Sequence, residues 1–182
     1  MKKALVIVLS TILLLATRAV SSVGMIPVLR LIPYPPVPDC VYYPMDYEGY
    51  KYPLRPGIRA WARLDSNMQM IAAVQIPEEI LNDMSTKELA HSAACYPKLG
   101  DVMLFDSKKI GFELVFSNSN VLQVLAERDG AREELQAILT NENWLALDKY
   151  PWGYWSQNLK LLLQSEQFGG EGLPGVWWEE SA

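Results

Sequence analysis

The crowding of proline into one stretch constrains this chain more than any other feature. Eight of its twelve prolines fall between Met25 and Gly57: Pro27, Pro33, Pro35, Pro36, Pro38, Pro44, Pro53 and Pro56. Each fixes φ and removes a backbone donor, so neither a helix nor a central strand can run through the segment. Residues 25–57 are therefore expected to form an extended, partly polyproline arm. Six of the nine tyrosines (Tyr34, Tyr42, Tyr43, Tyr47, Tyr50 and Tyr52) share that stretch. An arm wrapped on a folded body would bury their rings and leave each hydroxyl in water.

Ahead of the arm, Met1-Lys2-Lys3 precedes an apolar run from Ala4 to Ala16, with small residues at Ala19, Ser21, Ser22 and Gly24. Positive start, apolar core and small-residue exit are the order of a secretory signal peptide, here residues 1–21, with cleavage as late as residue 24 as the other option. The run is shorter than the roughly 20 residues a membrane span needs. The expectation is an exported protein, periplasmic or secreted, with no membrane span after signal cleavage. Losing residues 1–21 removes Lys2, Lys3 and Arg18, leaving 13 basic against 21 acidic residues, a net charge of −8. That balance argues against a nucleic-acid partner and against an electrostatic grip on anionic lipid. The two cysteines, Cys40 and Cys95, are expected to pair in an oxidising compartment, with two free thiols as the competing state. Closing a loop of about 55 residues would stabilise by about 4 kcal/mol in the chain-entropy model.

After Gly57 the texture becomes helical through residue 168, and residues 169–182 read as an aromatic tail. Ser66-Asn67-Met68-Gln69 and Ser85-Thr86-Lys87-Glu88 have the form of capping boxes. The first helix should end near Val74, because Pro77 disfavours helical geometry before it. Pro77 suits the first helical position of the next segment, with Glu78 and Glu79 at the positive dipole end. Further helices are expected over 89–96, 98–105, 110–116 with Asp106 as cap, 121–128 with Asn120 as cap, and 131–147 with a break near Asn141 and Asn143. The last runs from Ser156 to Phe168 and stops at Gly169-Gly170-Glu171-Gly172. The fold expected is all-α: a compact bundle or short superhelical stack of six to eight short helices, preceded by the extended Pro/Tyr-rich arm.

Several segments fall in one order: Tyr52-Pro53-Leu54-Arg55-Pro56-Gly57, Gln75 through Leu81, Met84 through Leu89, Tyr96-Pro97, Gly111-Phe112-Glu113 and Leu125 through Arg128. In these the chain resembles a group of exported, uncharacterised helical proteins of anaerobic gut bacteria. The resemblance covers roughly half of the mature chain and implies a bacterial exported protein with a helical core. It carries no activity and assigns no residue a role.

Two constellations bear on function. Glu88, His91 and Cys95 stand at i, i+3 and i+7 of one expected helix and so share a face. A thiol beside an imidazole could serve as a nucleophile, and the three could ligate zinc; the structural alternative puts Cys95 in a disulfide and His91 in a helix face. Trp144, Tyr150, Trp152, Tyr154 and Trp155 crowd one helix–loop–helix junction, where aromatic rings can bind a sugar or peptide, or simply lock the arm and tail in place. The adjacent acid pairs Glu78-Glu79, Glu133-Glu134 and Glu179-Glu180 point apart on a helix and read as solvated faces. The favoured reading is an exported non-enzymatic binding or structural module, acting through an aromatic surface on an envelope protein, peptide or glycan. It assigns no catalytic residue, metal or cofactor. A carbohydrate-binding accessory and an enzyme centred on Glu88, His91 and Cys95 are the alternatives.

Overall fold

The computed structural model describes residues 42–146 and 155–174. Among these, eight α-helices and three short 3-10 helices follow one another with no strand. Residues 1–24, expected to hold the signal peptide, arm residues 25–41, Tyr150, Trp152, Tyr154 and the end of the tail from residue 175 lie outside the described residues.

A 3-10 turn at Trp61–Arg63 leads into α1 (Asn67–Ala73). The Ser66 side chain accepts from the Gln69 N–H, as expected of a cap. The reciprocal contact shifts by one residue, because Gln69 Oε1 accepts from the Asp65 N–H at 2.7 Å. Pro77 caps α2 (Glu78–Asp83) from outside the helix, with ψ 136°, instead of occupying its first turn. Ser85 and Glu88 form both halves of the capping box that opens α3 (Thr86–Ala94).

The segment expected as a helix over 98–105 is a 3-10 helix, Leu99–Leu104. α4 (Lys108–Ser117) is capped by Ser107, not Asp106, and α5 (Asn120–Ala126) by Ser119, not Asn120. Gly130, at φ 77°, turns the chain into α6 (Ala131–Leu139). The expected break at Asn141 is present: its side chain accepts from the Asn143 N–H and opens the separate α7 (Glu142–Leu145). α8 (Trp155–Gln164) gives way to a 3-10 turn, Glu166–Phe168, and Gly169 at φ 71° ends it.

α3 is the axis of the bundle. Every residue from Leu89 to Ala94 is buried, and α5, α6 and α8 all pack against this helix. Leu122 and Leu125 of α5, Leu135 of α6 and Leu159 and Leu162 of α8 are withdrawn from solvent in the same core. Full burial of one such side chain stabilises by about 1.5–3 kcal/mol. α4 packs against α5 and lies closely on the Leu99–Leu104 turn. A Cβ at Gly111 would stand 2.8 Å from the Val102 carbonyl oxygen and 2.9 Å from the Phe105 ring, so glycine is what lets the two elements meet.

Residues 43–60 form no regular helix or strand. Tyr43 and Tyr52 are buried, but the expectation of wet hydroxyls is overturned. The Tyr52 hydroxyl donates to the Ser92 carbonyl at 3.1 Å and the Tyr42 hydroxyl to the Cys95 carbonyl at 3.2 Å. The Tyr43 hydroxyl accepts from the Tyr52 N–H at 2.8 Å. The reason is geometric. The Ser92 and Cys95 carbonyls lie at the C-terminal end of α3, where helix carbonyls lack intrahelical partners, and the Tyr52 N–H belongs to an arm with no ladder of its own, so the phenols supply partners for both. The Arg55 guanidinium sits 4.5 Å from the centroid of the Tyr42 ring, a cation–π contact.

Candidate functional site

Glu88, His91 and Cys95 share α3, yet each is engaged elsewhere. Glu88 turns back to the helix start, where one carboxylate oxygen accepts from the Ser85 N–H and hydroxyl, both at 2.8 Å. Those bonds hold its carboxyl below the usual carboxylate range. His91 is buried, and its Nδ1 accepts from the main-chain N–H of Glu48 at 3.1 Å. Its ring lies edge-on to Trp144 and tilted over Tyr47, at 5.0 and 5.9 Å between centroids. Cys95 is a buried free thiol whose Sγ accepts from Trp155 Nε1 at 3.4 Å. Burial pushes that thiol well above its ordinary pKa, the opposite of what a nucleophilic cysteine needs. The three residues therefore serve the cap, the arm and the core in turn. Cys40, the other half of the expected disulfide, lies outside the described residues.

Of the five aromatic residues at the junction, Trp144 and Trp155 are described, and they are 1% and 5% exposed. Trp144 closes over His91 and Tyr47, and Trp155 meets the Tyr42 ring at 5.9 Å. Both fill the space between arm and bundle, so neither offers a face to a sugar or peptide. The remaining three, Tyr150, Trp152 and Tyr154, lie outside the described residues.

The arm's attachment to α3 centres on Ser92, which no sequence motif singled out. Its Oγ accepts from the Tyr50 N–H at 2.7 Å and donates to the Glu88 carbonyl at 2.7 Å. Gly49 allows this approach, since a Cβ there would stand 2.7 Å from both the Ser92 nitrogen and its hydroxyl oxygen. At the rim, Lys87 and Glu48 form an exposed ion pair at 2.7 Å. Asn141 donates to Asp46 at 2.7 Å, tying the arm to α7 as well.

Among the described residues, a set of exposed aliphatic side chains lies on another element. Ile110 and Leu114 of α4 are 60% and 46% exposed, and Leu104 and Met103, ending the 3-10 turn packed on α4, are also exposed. At roughly 100° per residue, Ile110 and Leu114 lie on one face and Phe112 close to the opposite one. Phe112 and Val115 are buried, so α4 is apolar on both its inner and outer sides. The sequence carried that signal, because a helix that needs only one buried stripe has no use for a second on its polar face.

No family model, curated protein sequence or solved structure matches this chain. No helix among the described residues is long and apolar enough to cross a membrane.

Proposed function

We propose that this protein is an exported bacterial interaction module, periplasmic or secreted, that engages a protein or peptide partner without chemistry of its own. The observation that carries the reading is the outer face of α4, where Ile110 and Leu114 stand in solvent; Leu104 and Met103, at the end of the 3-10 turn packed on α4, are exposed as well. Apolar side chains grouped on adjacent elements favour association, because a partner that covers them releases ordered water. An aliphatic face of this kind suits a protein or peptide better than a glycan, which needs aromatic platforms and polar hydrogen-bonding groups. The signal-peptide pattern of residues 1–21 and the resemblance to exported proteins of gut bacteria support the location. The engagement of Glu88, His91 and Cys95 in cap, arm and core supports a role without catalysis.

Site-specific photo-crosslinking in the producing bacterium tests this. A photoreactive residue at position 110 or 114 is expected to give a discrete adduct, and one at the exposed Glu133 of α6 none. Free monomer alone at both α4 positions, in protein recovered from the exported fraction, would overturn the reading.

A further inference from the structure

The tyrosine arm is joined to α3 through a contact that depends on the protonation state of the chain's single histidine. His91 Nδ1 is an acceptor, taking the Glu48 N–H at 3.1 Å, so the neutral ring carries its proton on Nε2. An imidazolium has a proton on both nitrogens. Protonation at Nδ1 would set two donors against each other across that distance and leave the Glu48 amide without its acceptor.

We propose that the Glu48–His91 contact is an acid-sensitive latch, and that protonation of His91 detaches residues 46–50 of the arm from α3. The ring cannot easily escape into water, because Tyr47 from the arm and Trp144 from α7 enclose it. Charged groups reach it from both sides. Lys87 on its own helix opposes a positive ring, while Glu48 and Asp46 on the arm and Glu88 on α3 favour one. Burial outweighs these and holds the imidazole pKa below its ordinary value, so the neutral, latched form is the one the fold selects.

Further attachments flank the latch. The Tyr50 N–H to Ser92 Oγ bond lies two residues along the arm, and among the described residues the Glu48 carboxylate is held by an exposed ion pair to Lys87. Such a pair contributes little in water. Release of the Glu48 amide leaves residues 47–49 held, between the Asp46–Asn141 and Tyr50–Ser92 bonds, by the packing of the Tyr47 ring on Trp144 and on His91, the second a contact that a charged imidazole also disturbs. The device is separate from the α4 face and stands whether or not that face binds a partner.

One histidine gives one set of imidazole resonances, so the full exported protein can be titrated by NMR without ambiguity. The ring is expected to titrate below about pH 6.5. The Glu48 and Tyr50 amides should lose exchange protection with the same midpoint, after correction for the intrinsic pH dependence of exchange. Each unit by which the fold depresses the histidine pKa permits a roughly tenfold shift of the latch towards the open form in acid. His91→Gln keeps an acceptor but cannot titrate, and it should hold the 46–50 amides equally protected at about pH 7.5 and pH 5. A ring that titrates while the Glu48 amide stays protected overturns the latch, as does an equal loss of protection in His91→Gln. Should that variant fail to fold, the wild-type titration decides alone.

Discussion

Asn120 holds Ile76 by both of its backbone groups: Nδ2 donates to the Ile76 carbonyl at 2.7 Å, and Oδ1 accepts the Ile76 N–H at 3.2 Å. Gln75 returns the contact, accepting the Asn120 N–H at 3.1 Å and donating to the Asn118 carbonyl at 2.9 Å. Two side-chain amides thus stitch the connection between α1 and α2 to the junction of α4 and α5. Ile76 itself is buried, so its peptide groups have few other partners. Asn120→Ala is expected to cost about 2 kcal/mol, from two lost bonds at about 1 kcal/mol each. Urea unfolding measures this, with the exposed Asn67→Ala as a control expected to stay within about 0.5 kcal/mol. Equal midpoints for the two variants would remove the clamp from the account.

The same residue shows where the sequence could be read and where it could not. Capping signals are local, so helix existence and order followed from serines, prolines and glycines a few residues apart. The choice between Ser119 and Asn120 as the cap of α5 was not local. Asn120 is spent on Ile76, 44 positions away, and that leaves the cap to Ser119. Of the expected arm, residues 43–57 are described and form irregular chain, as their prolines require. The arm's attachment was not legible, because Gly49 and Ser92 meet through a close approach that neither residue announces. The Trp144 and Trp155 pair was equally ambiguous: a large amphipathic ring fits a binding surface or a domain seam by composition alone, and burial decides for the seam. The outer stripe of α4 was present as Ile110 and Leu114 but merged with the inner one, since both satisfy helical spacing.

Gly111 offers a prediction in which helix propensity and packing have opposite signs. In an exposed helix interior, glycine to alanine stabilises by roughly 1 kcal/mol. Here the added Cβ would press on the Val102 carbonyl at 2.8 Å and the Phe105 ring at 2.9 Å. A carbonyl in a 3-10 turn cannot swing aside as a flexible side chain would, and overpacking typically costs about 1–3 kcal/mol. Gly111→Ala is therefore expected to lower stability, read as a lower Tm by calorimetry. A raised Tm would mean that α4 and the Leu99–Leu104 turn separate easily.

Cys95 should be invisible to thiol reagents in the native protein. Its sulfur is buried, accepts from Trp155 Nε1, and has its ionisation suppressed by burial. Alkylation needs the thiolate, so a short iodoacetamide exposure at about pH 8 should leave the Cys95 peptide unmodified. The same exposure in concentrated urea should label it fully. A labelled Cys95 in the native protein would place it at the surface. One that resists labelling even when unfolded would place it in a bond to Cys40.

Alkali should unfold this protein through its tyrosines. Burial raises the phenol pKa of Tyr42, Tyr47 and Tyr52 well above the ordinary value, and Tyr96 is pushed up to about 12. In the unfolded chain each phenol ionises near pH 10. Between that pH and the native values the folded form binds more protons, so stability is intact below about pH 10 and falls as the pH rises beyond it. Each phenol adds about 1.4 kcal/mol of loss per pH unit within that window. Four acting together would exhaust a typical margin of 5–15 kcal/mol within about two units. The arm should fail early, since Tyr42 and Tyr52 lose donated bonds to the Cys95 and Ser92 carbonyls on ionising. Tyrosinate absorbance and helical circular dichroism, followed together from about pH 9 to 12.5, are expected to change in one cooperative step. Gradual, independent phenol ionisation with the helical signal intact would mean that these rings reach water without unfolding, and that the arm is not held to α3 as described.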